Sequence, residues 1–178
     1  SAVAIAPGGN PYVAFEMSTT TMANPQQMFC KSGDGGMTYS NEIACNSLAA
    51  GKPCECCPPG LLVKDSMVYL LYRNNISNIR DIYCAVSNNY GLSFDTVIRL
   101  DFTNYMINGC PSQGPEAIFS DDSVVVVWTS KPMGEYARIY CGTFHRNTLQ
   151  TGANRIIDTN ITGNMPQRDP VISVRSRT

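Results

Sequence analysis

The chain has 178 residues, 43% of them hydrophobic and 15% charged, with a formal net charge of −1. No run approaches the ~20 consecutive apolar residues of a membrane-spanning helix, and 13 basic against 14 acidic residues, with no basic stripe, argue against a nucleic-acid partner. Abundant Gly, Pro, Asn, Ser and Thr point instead to short strands joined by tight turns.

In chain order, Ala2–Ile5, Pro11–Phe15 and Met28–Cys30 read as strands of a first unit. The turn after them places Ser32, Asp34, Gly36, Thr38 and Tyr39 in the order hydroxyl, Asx, Gly, hydroxyl, aromatic. Such a turn ties an Asx side chain to nearby N–H groups, uses Gly for a positive φ, and packs its aromatic back on the sheet. Leu48-Ala49-Ala50 and Ile156-Ile157 come nearest to helical pattern and are too short for it.

A second unit follows, with Gly60–Val63, Met67–Tyr72 and Ile82–Cys84, and with a relaxed turn of Ser87, Asn89, Gly91, Ser93 and Phe94. The third unit offers Glu116–Phe119, Ser123–Trp128 and Ile139–Cys141, but its turn has lost the pattern. Gln167–Val174 reads as the first strand of a fourth. The expected fold is therefore all-β: four-stranded antiparallel blades over 1–50, 51–106 and 107–163, with the next blade starting at 164–178. Propellers close with typically four to eight blades. Three units that begin directly in strand sequence predict a fragment of a six-bladed ring, completed by the same longer chain or by a second copy.

The two turns resemble the Asp-box, or BNR repeat, of sialidase-like propellers; the first fits the pattern and the second has Asn89 where Asp is usual. Cys54-Glu55-Cys56-Cys57-Pro58, Tyr72-Arg73-Asn74-Asn75, Ile79-Arg80-Asp81-Ile82, Cys110-Pro111 and Gly114-Pro115 together resemble a bacterial exported group within that family. That resemblance implies a propeller that is extracellular, on the cell surface or periplasmic. It implies no substrate.

Eight cysteines fit an oxidising compartment. Cys30, Cys84 and Cys141 fall at one repeat position and are expected as small buried thiols. The loops leading into the second and third units hold Cys54, Cys56, Cys57 and Cys110, where Cys56 or Cys57 facing Cys110 makes an inter-blade disulfide. The alternative is a Cu(I) or Zn site built from these four with Glu55. The sole histidine, His145, is remote in sequence, and no other cofactor is indicated.

Arg80 and Asp81 read as an exposed ion pair worth under about 1 kcal/mol. Arg168-Asp169-Pro170 resembles the Arg-Ile-Pro of sialidases, whose arginine joins two others in clamping a substrate carboxylate; the middle residue departs from that pattern. Glycoside hydrolysis would also need carboxylates, for which Glu116, Asp81, Glu55 and Asp169 are candidates beside Arg73, Arg80 and Arg168. No motif places a nucleophile, since Tyr72, Tyr83 and Tyr140 lie in apolar strands. The expected function is a binding or structural propeller holding a glycan or protein partner at its mouth. The alternatives are a sialidase-type exo-glycosidase and a metal-binding propeller. Asn75-Ile-Ser77 and Asn160-Ile-Thr162 match the N-glycosylation pattern.

Overall fold

The computed structural model describes all residues except 20, 22–23, 134, 160–164 and 174–178. Among the described residues it contains strands and turns and no helix, so none is long and apolar enough to cross a membrane. The first sheet runs β1 (Ala2–Ile5), β2 (Pro11–Met17), β3 (Gln26–Lys31) and β4 (Ile43–Ala44). The two-residue β5 (Lys52–Pro53) leads to a second sheet of β6 (Gly60–Lys64), β7 (Met67–Asn75), β8 (Ile82–Ser87) and β9 (Thr96–Arg99). The third has β10 (Glu116–Ser120), β11 (Ser123–Ser130), β12 (Arg138–His145) and β13 (Arg155–Ile156). All three are antiparallel meanders. At nine residues β7 is long enough to pair with β6 along one half and with β5 at Asn74 and Asn75.

The sheets stack face to face. Tyr12, Ala14 and Phe29 of the first meet Val68, Leu70, Tyr72 and Ala85 of the second, and Tyr69, Leu71, Ile82 and Cys84 of the second meet Val124, Val126, Trp128 and Tyr140 of the third. The middle sheet is thus apolar on both faces, as its unbroken run Met67–Tyr72 requires. First strands approach one another, β1 against β6 and β6 against β10, so the sheets radiate from one side.

One expectation needs correction. Ser32 and Ser87 are 55 residues apart, but Cys30 and Cys84 are 54 apart. Side chains alternate along a strand, so an offset of one residue reverses the face. Phe29 and Cys84 each face the following sheet, while Cys30 faces away from the second sheet and Cys141 away from it on the other side. Accordingly Cys84 is buried and Cys30 and Cys141 are only half-buried; all three are free thiols.

The turns explain themselves chemically. Asp34 Oδ1 accepts from Ser32 Oγ at 2.7 Å and Thr38 N at 2.9 Å, its Oδ2 accepts from Thr38 Oγ1 at 2.6 Å, and Ser32 Oγ accepts from Gly36 N at 2.8 Å. The Thr38 hydroxyl, above all, holds the Asp34 carboxyl down at about 2. In the second turn Asn89 Oδ1 accepts from Ser87 Oγ, Leu92 N and Ser93 N, and its Nδ2 donates to Ser93 Oγ. Gly91 has φ 74°, and a Cβ there would collide with the Phe29 ring of the neighbouring sheet. Phe94 is buried between the first two sheets and packs on Phe29 of the neighbouring one, but Tyr39 is 47% exposed and does not fold back into a core. In the third turn His145 Nδ1 accepts from Asn147 N and Thr148 N at 3.2 Å, a ring nitrogen standing where the others use the serine hydroxyl.

Gln167–Ser173 forms no ladder among the described residues. Gln167 ties this segment to the third sheet, its N donating to Ala137 O and its Oε1 accepting from Ile139 N. Asn75 is buried, its Oδ1 taken by Asn78 N. The Asn160 glycosylation pattern lies outside the described residues.

Candidate functional site

The loops 54–59 and 110–115, which lead into β6 and β10, meet between the second and third sheets. Cys54 N donates to Arg73 O, prolonging the β5–β7 pairing into the first loop. Gly114 then lets the second loop approach the Pro58 carbonyl more closely than any Cβ allows. Cys56 and Cys110 are joined by a disulfide, with Cα atoms 6.4 Å apart. Of the two pairings expected with Cys110, the structure selects Cys56.

Cys54 and Cys57 are reduced and buried beneath this bond. Cys57 Sγ donates to Cys54 Sγ at 3.0 Å, and Cys110 Sγ lies 3.4 Å from Cys54 and 3.7 Å from Cys57. Arg80 Nη1 donates to Cys54 Sγ at 2.9 Å and to Glu55 Oε2 at 2.8 Å. The Cys57 hydrogen bond, and after it the Arg80 charge, bring the Cys54 thiol down to about 6; the same bond and burial push Cys57 up.

The charges of this region are arranged differently from the sequence expectation. Arg80 and Asp81 are not an exposed pair: adjacent residues at the start of a strand point to opposite sides, and both are buried. Asp81 accepts from Arg99 Nη2 at 2.6 Å and from Tyr105 N at 3.0 Å. Burial, then the nearby Asp101, raise its pKa. Arg73 does not line a mouth either. It is 1% exposed, and its guanidinium donates to three backbone carbonyls, of Gln113, Arg80 and Thr129, at 2.6–3.0 Å.

Arg168, Asp169 and Glu116 are the charged candidates left exposed. They flank Gln113 in two clefts of about 160 Å³ each. One is lined by Tyr105, Cys110, Gln113 and Arg168, the other by Pro58, Ser112, Glu116 and Asp169. Asp169 sits at φ 50°, in the left-handed region, which turns the chain between Arg168 and Pro170. A wider cleft, about 590 Å³, lies between the two Ser-Asx turns and shares no residue with these. Tyr72 and Tyr140 are core residues and Tyr83 packs against the core, so no tyrosine emerges as a nucleophile among them.

Sequence reasoning missed Glu16, Arg99 and Asp101. Asp101 is fully buried and accepts from Ser130 Oγ at 2.8 Å and Thr103 N at 2.9 Å. Glu16 shares a face with the buried Gln27 across the β2–β3 ladder, and its Oε2 has no partner. Burial, then Cys54 and Glu55, push its carboxyl up to about 7. Its only sequence signal is an acid in an otherwise apolar strand.

No family model and no curated protein matches the chain. Solved structures do match. The sialidase NanB, in a structure with Optactamide, aligns with a TM-score of 0.55 at 12% identity over 88% of this chain and 23% of that one. Beta-1,2-mannobiose phosphorylase from Listeria innocua, in complex with beta-1,2-mannobiose, aligns at 0.53 and 14% identity over 93% of this chain and 44% of that one. The chain thus spans less than half the length of either. At such identities the likeness speaks for the fold alone, and the three sheets are blades of a β-propeller.

Proposed function

We propose that the protein is an exported, carbohydrate-binding member of the sialidase-like propellers, holding its ligand at the loops that lead into β6 and β10. The observation that carries this reading is the exposed trio Arg168, Asp169 and Glu116 around Gln113, set in clefts beside the converging first strands. Arg73, Arg80 and Asp81 are committed to structural bonds, which favours binding over hydrolysis. The beta-1,2-mannobiose bound to one structural neighbour supports a glycan as ligand. The outer apolar face of β1, with Val3 and Ile5 above 60% exposed, supports completion of the ring by further blades of a longer chain or a second copy.

Titration calorimetry of the complete protein against a panel of oligosaccharides tests this. Arg168→Ala and Glu116→Gln should each weaken the best ligand roughly tenfold, the loss of one charge-assisted contact. Turnover of a fluorogenic sialoside that vanishes in Arg168→Ala would establish the hydrolase instead. A metal reading rests on a separate observation: the sulfurs of Cys54, Cys56 and Cys110 all lie within 4.8 Å of one another. A thiolate set of this kind suits Cu(I) or Zn, and stoichiometric metal in protein purified under anaerobic, reducing conditions would support it.

A further inference from the structure

Two sulfurs of the cluster form a closed dithiol and two form an outward disulfide, all in one small volume. Cys54 and Cys57 are 0% and 2% exposed, whereas Cys56 lies at the surface. Cys54 Sγ is 3.4 Å from Cys110 Sγ, within reach of that disulfide, and Cys57 Sγ stands 3.0 Å behind Cys54. The Arg80 guanidinium is bonded to Cys54 Sγ, Ser112 Oγ lies 3.5 Å from Cys56 Sγ, and Ser112 N donates to Cys110 Sγ at 3.3 Å, so Cys54, Cys56 and Cys110 each have a donor beside the sulfur. Three sulfurs spaced for successive displacement, with cationic and N–H donors beside them, are the requirements of thiol–disulfide exchange.

We propose that the four cysteines form an exchange relay, in which the buried Cys54–Cys57 dithiol reduces an external disulfide by way of the Cys56–Cys110 bond. In the first step the Cys54 thiolate attacks Cys110 Sγ; the Cys54–Cys110 bond forms, Cys56–Cys110 breaks, and Cys56 leaves as a surface thiolate. Cys57 then attacks Cys54 Sγ, its proton passing to the Cys110 sulfur 3.7 Å away as that sulfur is expelled, so that Cys54–Cys57 forms and Cys54–Cys110 breaks. Two electrons have passed from the buried pair to the outer one. The Cys56 thiolate next attacks the external disulfide, releasing one thiolate, and Cys110 attacks Cys56 Sγ, restoring Cys56–Cys110 and releasing the second. The buried dithiol ends oxidised and the external disulfide ends as two thiols. This inference stands apart from carbohydrate binding and needs no glycan.

Oxidised glutathione added to native, non-denatured protein tests it, with the products alkylated in acid and mapped by peptide mass spectrometry. A Cys54–Cys57 disulfide should appear, together with two equivalents of reduced glutathione. Cys56→Ser with Cys110→Ser should slow its appearance roughly tenfold or more, because the buried pair then has no outlet. Cys54→Ser, which leaves the outer disulfide intact, should abolish it. Equal rates with and without Cys56 and Cys110 would overturn the relay, as would stoichiometric metal at the cluster, or Cys54 and Cys57 that stay reduced in wild type. Because the wild-type mapping needs no variant, a folding defect in either mutant leaves the decision intact.

Discussion

Arg73 shows how much a single side chain can do away from any ligand. It carries a buried positive charge with three carbonyl acceptors, and these draw on the loop before β8, the third sheet and the loop before β10. Arg73→Met should leave those carbonyls without donors and cost roughly 3 kcal/mol or more in denaturant unfolding. Sugar binding should follow only through stability. Glu16 is the opposite case, an acid the fold holds against its preference. Its folded pKa, about 7, lies above its ordinary value of 4.5. The native state therefore binds more protons than the unfolded chain between those values, and stability falls as pH rises from about 4.5 to about 7. Glu16→Gln should flatten that part of a melting-temperature profile and raise the melting temperature above pH 7. At this scale little was legible. A sequence shows that Arg73 and Glu16 are charged, but two of the three carbonyls around the one, and the Cys54 and Glu55 that act on the other, come from segments tens of residues away. A bond from Cys110 to Cys56 or Cys57 was legible because the cysteines lie in corresponding lead-in loops; which of the two it takes was not.

At the scale of the element, the strands were legible from their apolar runs and the turns from their small polar residues. What escaped was how each turn is adjusted. In the second turn Ser93 Oγ donates to Asp95 Oδ2 and so accepts from Asn89 Nδ2. Asn89→Asp, which completes the motif on paper, would replace that donor with a carboxylate facing Ser93 and Asp95. It should lower the melting temperature at pH 7, and the loss should shrink at pH values low enough to protonate the introduced acid. Gly91→Ala should be worse at any pH, since both its φ and the Phe29 ring oppose a side chain. The third turn has lost the motif's residues but keeps an acceptor at its start, because the His145 ring nitrogen takes the N–H two residues on that a serine hydroxyl takes in the other two turns.

At the scale of the molecule, the disulfide is a covalent link between blades that share no ladder. Its loop spans 54 residues, and in the chain-entropy view reduction should cost roughly 4 kcal/mol. Denaturation of Cys56→Ser with Cys110→Ser, compared with wild type in the absence of reductant, measures that cost; the apolar contacts between β6 and β10 should keep the variant folded in dilute buffer. The blade architecture was readable from three repeats of similar length. The mouth was not, because which charges remain free depends on which ones the stacked sheets have already used.

The two spacings in the first and second blades, 54 for cysteine and 55 for serine, bear on how such a chain can be re-engineered. A consensus blade assembled with Cys30 and Cys84 in one column would average a residue that looks toward one neighbour with a residue that looks toward the other. The resulting third strand would be inside out, with ring and thiol exchanged across the sheet. Assembled on Ser32 and Ser87, the same two blades superimpose face for face, so the turn at the rim is the reference point for splicing, duplicating or transplanting blades of this protein.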